Sequence, residues 1–404
     1  MRLLYVCHAP PCLPALGPAR RHYQILLEAA KRHEVTLVSF GTAADERAFR
    51  THMADVCREA FFVDMQRPRP VKAIQRSCLL LTGRADFRRL YALRFQRALD
   101  RVAARPFDGV ILSTLMLARY RVPDVPSLGE AHNVEHEVFR RAATEAQDLP
   151  RRLYYRVQGE LTRREEHACA SRVQFISAVS ARDRDQFAQW KPRSRIFVVP
   201  NGVDVAAFMR PADVPPPERP AVLFTGLLSY YPNAVAARRL CDELVPRITA
   251  RVPSARFVIA GADPPRWLTT LDDPRVTVTG RGEDMRPLFW ASTVFAMPLT
   301  IGSGTRGKAL DAMAARLPMV STSLGCEGLD LQDDREALIR DDADGFADAV
   351  VRMIQDEPLR SRLAEAAFRR VCADYDVSAV GRLLDQAIHT LCEHRQPRMA
   401  VVRC

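Results

Sequence analysis

Short apolar runs rich in β-branched and aromatic residues alternate with longer amphipathic stretches, and this alternation happens twice along the chain. In the first half the strand-like runs fall at 3–6, 34–40, 60–63, 109–113, 127–131, 173–177 and 196–199. The helix-like stretches fall at 19–32, 44–58, 87–104, 151–170 and 181–190. Such alternation predicts a parallel sheet with helices on both faces. A break follows: Val199-Pro200-Asn201-Gly202-Val203-Asp204 is turn chemistry, and Pro215, Pro216, Pro217 and Pro220 form a stiff linker. The pattern then restarts, with strands at 222–225, 256–260, 276–279, 294–297, 319–322 and 337–340. Helices are expected at 233–251, 284–290, 307–315, 346–357, 359–375 and 377–394. The expected fold class is α/β, with two Rossmann-like domains facing across a cleft. The ligand is expected in that cleft, at the carboxyl ends of the strands.

Composition narrows the functional classes. The 404 residues are 48% hydrophobic and 26% charged, the balance of a globular chain with full cores. No uncharged apolar run approaches the roughly 18 residues that span a bilayer, and the apolar start at residues 3–6 is too short for a signal peptide. The ten cysteines include no Cys-x-x-Cys pair, which argues against a zinc ribbon or a disulfide framework. A cytoplasmic location is expected, compatible with a peripheral place on the inner face of the membrane. Residues 1–200 hold 34 Lys and Arg against 21 Asp and Glu, whereas the remainder is slightly acidic. The basic half suits phosphorylated ligands, an anionic membrane or a solvated arginine-rich surface.

Residues 294–322 carry the clearest chemistry. A strand runs into a loop containing Gly302, Gly304 and Gly307, and a helix begins where Arg306 and Lys308 stand. Glycines let backbone N–H groups approach an anion. The helix N-terminus and the two cations add positive charge, so the segment predicts a phosphate cradle. Lys308 is one of only four lysines, so arginine-rich composition does not explain it. Asp311 lies one turn on, on the same helix face, where a carboxylate accepts hydrogen bonds from vicinal hydroxyls. The segment also approaches the P-loop pattern, but Ala309 replaces the Mg²⁺-binding hydroxyl.

Here the sequence resembles the GT-B glycosyltransferases, specifically the retaining family 4 group. The match is carried by Asp311-Ala312-Met313-Ala314-Ala315, Pro318-Met319-Val320-Ser321-Thr322, the Pro-Asn-Gly-Val-Asp run at 200–204, Ser177–Asp183, and Phe224-Thr225-Gly226-Leu227-Leu228 with Pro232-Asn233. The resemblance implies a donor domain at 205–376 and an acceptor domain at 1–204 joined by the helix 377–395, with 396–404 as a tail. It implies that Asp311 binds the ribose of a nucleotide diphosphate sugar, that Arg281 edges the base, and that Gly226, Ser303, Gly304 and Thr305 line the donor. Ser303 stands where the family has a first acid, and Leu227 and Pro232 stand where it often has an Arg and a Lys, so Arg306 and Lys308 meet the diphosphate charge.

His132 follows the strand 127–131, where the resemblance implies contact with the transferred sugar, neutral or protonated. His132, Glu135 and His136 also spell His-x-x-Glu-His, a zinc-binding pattern if all three share a helix. In the first loop only Gly17 remains of the family's usual glycine pair. Arg20 and Arg21 at the following helix start could meet acceptor phosphate. Residues 67–105 carry eleven bases among apolar residues, and 87–104 reads as a basic amphipathic helix, suited to a membrane surface or to its own sheet. No nucleic-acid signature accompanies these bases. The expected activity is retaining hexosyl transfer from a UDP- or GDP-linked sugar to a glycan or lipid-linked acceptor in exopolysaccharide or lipopolysaccharide assembly, with no metal and no cofactor. Alternatives are a catalytically degenerate binding module and a nucleotide-sugar epimerase of the same fold.

Overall fold

A computed structural model describes residues 1–11, 18–65, 82–86, 90–146, 148–215, 217–280, 282, 284–302 and 305–394. The first sheet contains β1 (Arg2–Cys7), β2 (Glu34–Phe40), β3 (Glu59–Val63), β4 (Gly109–Leu112), β5 (Ser127–Ala131), β6 (Phe175–Ala178) and β7 (Ile196–Val198). Their spatial order is β3-β2-β1-β4-β5-β6-β7. The second sheet contains β8 (Ala221–Thr225), β9 (Arg256–Ala260), β10 (Val276–Gly280), β11 (Val294–Met297), β12 (Met319–Ser321) and β13 (Leu338–Ile339), in the order β10-β9-β8-β11-β12-β13. All of these pairings are parallel. Each strand order reverses once, between β1 and β4 and between β8 and β11. Those are the switch points at which a doubly wound sheet opens a crevice.

The strands were legible because both faces of each central strand are covered. Leu3, Leu4, Tyr5, Val6 and Cys7 of β1 are all buried, as are Val294–Met297 of β11. A strand covered on both sides needs a continuous apolar run rather than an alternating one.

The chain divides into two compact units. The first comprises residues 1–139, 153–199 and 381–404, and the second 140–152 and 200–380. In the first unit, Leu391 of the last helix (Val377–Glu393) packs with Leu128 and Phe175, and Asp385 binds His33 and Arg32 at 3.0 Å each. In the second unit, Val203 donates to Tyr375 and accepts from Val377, fixing the turn that follows Pro200.

Two helices depart from expectation. Glu135–Glu145 is helical although its sequence pattern did not mark it. Its open N-terminus is capped from a distance: the Glu166 carboxylate accepts from the backbone N–H groups of Glu135 at 2.7 Å and His136 at 3.1 Å. The basic helix, described from Leu93 to Ala103, buries Phe95, Leu99 and Val102 in the core of the first unit. These three residues of its apolar stripe therefore face its own sheet, while Leu93 at its start is 65% exposed. Most of the remaining basic stretch, 67–81 and 87–89, lies outside the described residues, as do 216 and the tail 396–404. No described helix is long and apolar enough to cross a membrane.

Candidate active site

In the second unit the site grows from the two strands that flank the switch point. β8 ends at Thr225, and Gly226 follows, its N–H bonded to the carbonyl of Ala260 at 3.0 Å. A Cβ on Gly226 would lie 2.7 Å from both Asn233 Nδ2 and Lys308 Nζ. Only glycine leaves room for those two side chains to meet there, which gives the Phe-Thr-Gly run a steric reason.

Lys308 projects from the helix Gly307–Ala314, which follows the loop after β11. Its Nζ donates to Asn233 Oδ1 at 2.6 Å and lies 4.6 Å from the centre of the Phe224 ring. Asn233 is steadied in turn by donating to the carbonyl of Leu227 at 2.9 Å. Loss of water around Nζ, with Arg306 close by, pulls the Lys308 pKa down to about 7, and Asp311 only partly offsets this. The ammonium is thus held where a second anion would be welcome. Arg306 caps the helix without a side-chain hydrogen bond to its backbone, so the helix N-terminus keeps its partial positive charge.

Gly302 and Thr305, the described residues of the glycine loop's two ends, are held from two directions. Gly302 has φ +139°, and a Cβ there would sit 2.8 Å from Arg306 Nη2 and 3.1 Å from its Cζ. Arg141 binds the Gly302 carbonyl and forms a two-pronged pair with Glu327 at 2.7 and 3.0 Å. Asn201 of the Pro-Asn-Gly-Val-Asp run donates to the carbonyl of buried Thr305 at 3.1 Å, while Asp204 caps the helix Val205–Phe208. That run therefore acts as a brace for the loop. Asp311 is half-buried on the cradle helix. Ser303, Gly304 and Arg281, assigned above to the donor, and Gly17, assigned to the acceptor, lie outside the described residues. Asn233 and Arg141 were not assigned a role in the sequence. The Pro232-Asn233 pair signalled the first, and nothing signalled the second.

In the first unit a histidine cluster sits at the corresponding crevice. His8 follows β1, and its backbone N–H and Nδ1 both meet Ser113 Oγ at 3.1 Å, just after β4. His132 follows β5, and its Nε2 bonds the carbonyl of Ser113 at 2.5 Å. A carbonyl only accepts, so Nε2 carries the proton and Nδ1 is left as the basic nitrogen. The His22 ring, fully buried, packs edge-on at 4.8 Å from His8 and 5.0 Å from His132. Burial, with Arg21 and His8 nearby, lowers His132 to about 3, and burial lowers His8 to about 4. Of the two forms considered for His132, burial favours the neutral imidazole.

Arg21 turns inward rather than toward a ligand. It donates to the carbonyl of Val199 at 2.9 Å and lies 3.3 Å from the Glu130 carboxylate, which also accepts from Tyr5 at 3.3 Å. Arg20 is half-buried at the same helix start. Potential metal-ligating atoms of His22, Glu130 and His132 lie within 4.8 Å of one another. Arg21 already supplies the positive charge opposite Glu130, so the group reads as a neutral polar pocket. The His-x-x-Glu-His pattern does not assemble, because His136 Nδ1 turns to Glu166 at 2.5 Å while His132 turns to Ser113. The P-loop alternative also fails on position: Ala309 is fully buried, and the loop follows the fourth strand of its unit.

Residues 219–356 match the model of the glycosyl transferases group 1, and residues 17–207 match that of glycosyltransferase family 4. A phosphatidyl-myo-inositol mannosyltransferase of Mycolicibacterium smegmatis is 29% identical over 214 residues, 48% of this chain and 51% of that protein. The chain thus aligns with about half the length of that relative. Among solved structures, a sucrose-phosphate synthase of Thermosynechococcus elongatus aligns with TM-score 0.70 and 17% identity, covering 97% of this chain and 99% of that one. Anabaena HepE in complex with UDP-glucose aligns with TM-score 0.68 and 12% identity over 96% and 100%. The chain belongs to the group 1 glycosyltransferases, of the family 4 type, and its two parallel sheets are those of the GT-B fold.

Proposed function

We propose that the protein is a retaining hexosyltransferase that moves a sugar from a UDP- or GDP-linked donor to a glycan or lipid-linked acceptor in exopolysaccharide or lipopolysaccharide assembly. One observation carries this reading: Arg306 and Lys308 stand together at a helix N-terminus, with Gly226 opening the space beside Nζ. During transfer the bond between the sugar carbon and the diphosphate oxygen breaks, and an acceptor oxygen takes that carbon. Negative charge grows on the departing diphosphate. Fixed cations and a helix dipole stabilise that charge more than they stabilise the bound donor, which lowers the barrier.

The remaining roles follow from residue chemistry. Asp311, one turn into the same helix, accepts from the ribose hydroxyls. Neutral His132 bonds a hydroxyl of the transferred sugar, its Nδ1 accepting a proton that a charged imidazole could not. Gly226, Thr305, Ser303, Gly304 and Arg281 line the donor, while Gly17 and Arg20 belong to the acceptor side. Two guanidinium or ammonium charges replace the metal ion that many diphosphate sites use, so we propose no metal and no cofactor. The resemblance to retaining enzymes supports the stereochemistry, and the phosphatidyl-myo-inositol mannosyltransferase relative supports a hexose donor and a lipid-linked acceptor.

Exposed Leu227, standing where relatives often carry a base, favours a second reading, a degenerate binding module. Turnover separates the two. The wild type should release nucleoside diphosphate from a UDP- or GDP-sugar, with the anomeric configuration kept in the product by NMR. Arg306→Ala should lower that turnover by about 100-fold or more while leaving the melting temperature nearly unchanged. Equal turnover in Arg306→Ala removes the phosphate role, and no release with any donor leaves the binding module.

A further inference from the structure

The second unit contains a cavity of about 610 Å³ that the donor cradle does not use. It lies at the amino ends of three neighbouring strands. Pro220 precedes β8, Thr293 precedes β11 and Pro318 precedes β12, and all three line it. Gly226 and Gly302 follow the carboxyl ends of β8 and β11, at the other end of the same sheet. The helix Gly307–Ala314 spans the two ends. It carries Lys308 at its start and runs into Ala315, Arg316 and Leu317 of the cavity wall, about 12 Å on by helix rise.

The wall is set by contacts within the unit. Trp290 donates its indole N–H to the carbonyl of Phe208 at 2.9 Å, which fixes a half-buried ring beside the cavity. Arg316 has φ +54°, a conformation that usually takes glycine after a helix. Its side chain is held by Glu365 at 3.1 Å and by the Phe368 ring at 3.9 Å.

The lining has two chemical characters. Phe289, Leu317, Pro318 and Ala364 are apolar and buried. Arg210, Glu218 and Ser361 are exposed and polar, and Arg360 is half-buried. Arg210 donates through Nε and Nη2 to the carbonyl of Val214, and Arg360 through Nη1 to the carbonyls of Met353 and Ile354. Nη1 of Arg210 and Nη2 of Arg360 remain available, and Glu218 has no ion pair among the described residues. Three arginines against two glutamates leave the lining one positive charge in excess. That set suits a ring with an apolar C–H face, several hydroxyls and one negative charge. An indole covers the face, a carboxylate accepts from vicinal hydroxyls, and a guanidinium grips a carboxylate in two prongs. The volume falls in the range that encloses a small ligand.

We propose that this cavity binds a sugar carrying one carboxylate, such as a uronate unit of a glycan. Trp290 lies against the ring, Arg210 and Arg360 meet the carboxylate, and Glu218 takes the hydroxyls. The site is separate from the donor cradle and stands whether or not the donor reading holds.

Saturation-transfer NMR of D-glucuronate titrated with the full chain tests it. A ligand of about 13 non-hydrogen atoms should bind at about 1 mM. Glucose, which lacks the charge, should bind at least about tenfold more weakly. Ser361→Trp fills the cavity from an exposed position and should lower glucuronate affinity more than tenfold. Arg210→Gln, also exposed, should lower it about tenfold and keeps the test open if the tryptophan unfolds the chain. Calorimetric UDP binding should be unchanged in both variants, and saturating UDP should leave glucuronate affinity within about twofold, because the two sites lie at opposite ends of the helix. No saturable glucuronate binding by the wild type overturns the proposal. So does equal affinity for glucose, equal binding by both variants, or displacement of glucuronate by UDP, which would put the sugar in the donor cradle. Absence of UDP binding with glucuronate binding intact would instead count against the transferase reading and uphold this site.

Discussion

The depressed pKa of Lys308 makes nucleotide binding dependent on pH in a calculable way. Lys308 titrates at about 7 because Nζ is stripped of water and sits beside Arg306. A bound diphosphate brings negative charge to the ammonium and restores the protonated form. Binding therefore selects the protonated enzyme, and the apparent dissociation constant is the intrinsic one divided by the protonated fraction. With a free-state pKa of about 7, that fraction is about one half at pH 7, about 0.09 at pH 8 and about 0.01 at pH 9. UDP affinity should fall roughly fivefold from pH 7 to 8 and roughly 50-fold from pH 7 to 9. The UDP phosphate, with its second pKa near 6, is already ionised across that range. Isothermal calorimetry in buffers of different ionisation enthalpy should also count about one half of a proton taken up at pH 7, and about nine-tenths at pH 8. Lys308→Met should bind more weakly and show no slope in this window. A wild-type affinity flat from pH 7 to 9, or a Lys308→Met variant with the same slope, would refute the argument. The same depression has a stability consequence without ligand. The unfolded chain holds the lysine proton up to pH 10.4 or so, so the Lys308 contribution should grow as pH rises from about 7 and be lost on return.

Other perturbations probe the supports of the site. Gly302→Ala puts a Cβ 2.8 Å from Arg306 Nη2 in a backbone with φ +139°; it should cost about 1–3 kcal/mol in urea melts and lower turnover by displacing Arg306. A variant that keeps both stability and rate would show that the loop does not need glycine there. Arg21→Met leaves buried Glu130 without its cation and should cost about 3–5 kcal/mol, with Glu130→Met in the same chain recovering most of it. No recovery in the double variant would assign Arg21 to the Val199 carbonyl instead. Burial and the neighbouring Glu166 raise Glu135 to about 7, so its protonated form favours the fold: the contribution is full below about pH 4.3 and fades as pH rises through about 7. Glu135→Gln should flatten the fall in chemical-denaturation stability across that window. An unchanged pH profile would place the titration elsewhere.

The residues that could be read from sequence were those whose local pattern and final environment agree. β2, β5, β9 and β11 occupy the spans their apolar runs suggest, since a doubly covered parallel strand is defined by its own residues. The pairing of Arg306 and Lys308 at a helix start was legible for the same reason: glycine, cation and helix start are neighbours in sequence as well as in space. What was missed depends on distant partners. The helix Glu135–Glu145 begins where Glu166, 31 residues away, caps it. Arg141 holds the Gly302 carbonyl from 161 residues away, and no local pattern marks it. Arg21 looked like a surface base because the burial of Glu130 opposite it is a property of the sheet. His132 looked capable of charge because the Ser113 carbonyl and the packed imidazoles of His8 and His22 come from three other segments.

The central claim is that cationic side chains and a helix N-terminus hold a nucleoside diphosphate without metal. Thermal shift with UDP, GDP, ADP and ATP, each in EDTA and in Mg²⁺, tests it most directly. Ligand at about 100 times its dissociation constant should add roughly 2.7 kcal/mol of stability. The account predicts stabilisation by UDP or GDP that persists in EDTA and is lost in an Arg306→Ala, Lys308→Met double variant. Stabilisation that requires Mg²⁺, or that survives the loss of both cations, would contradict it.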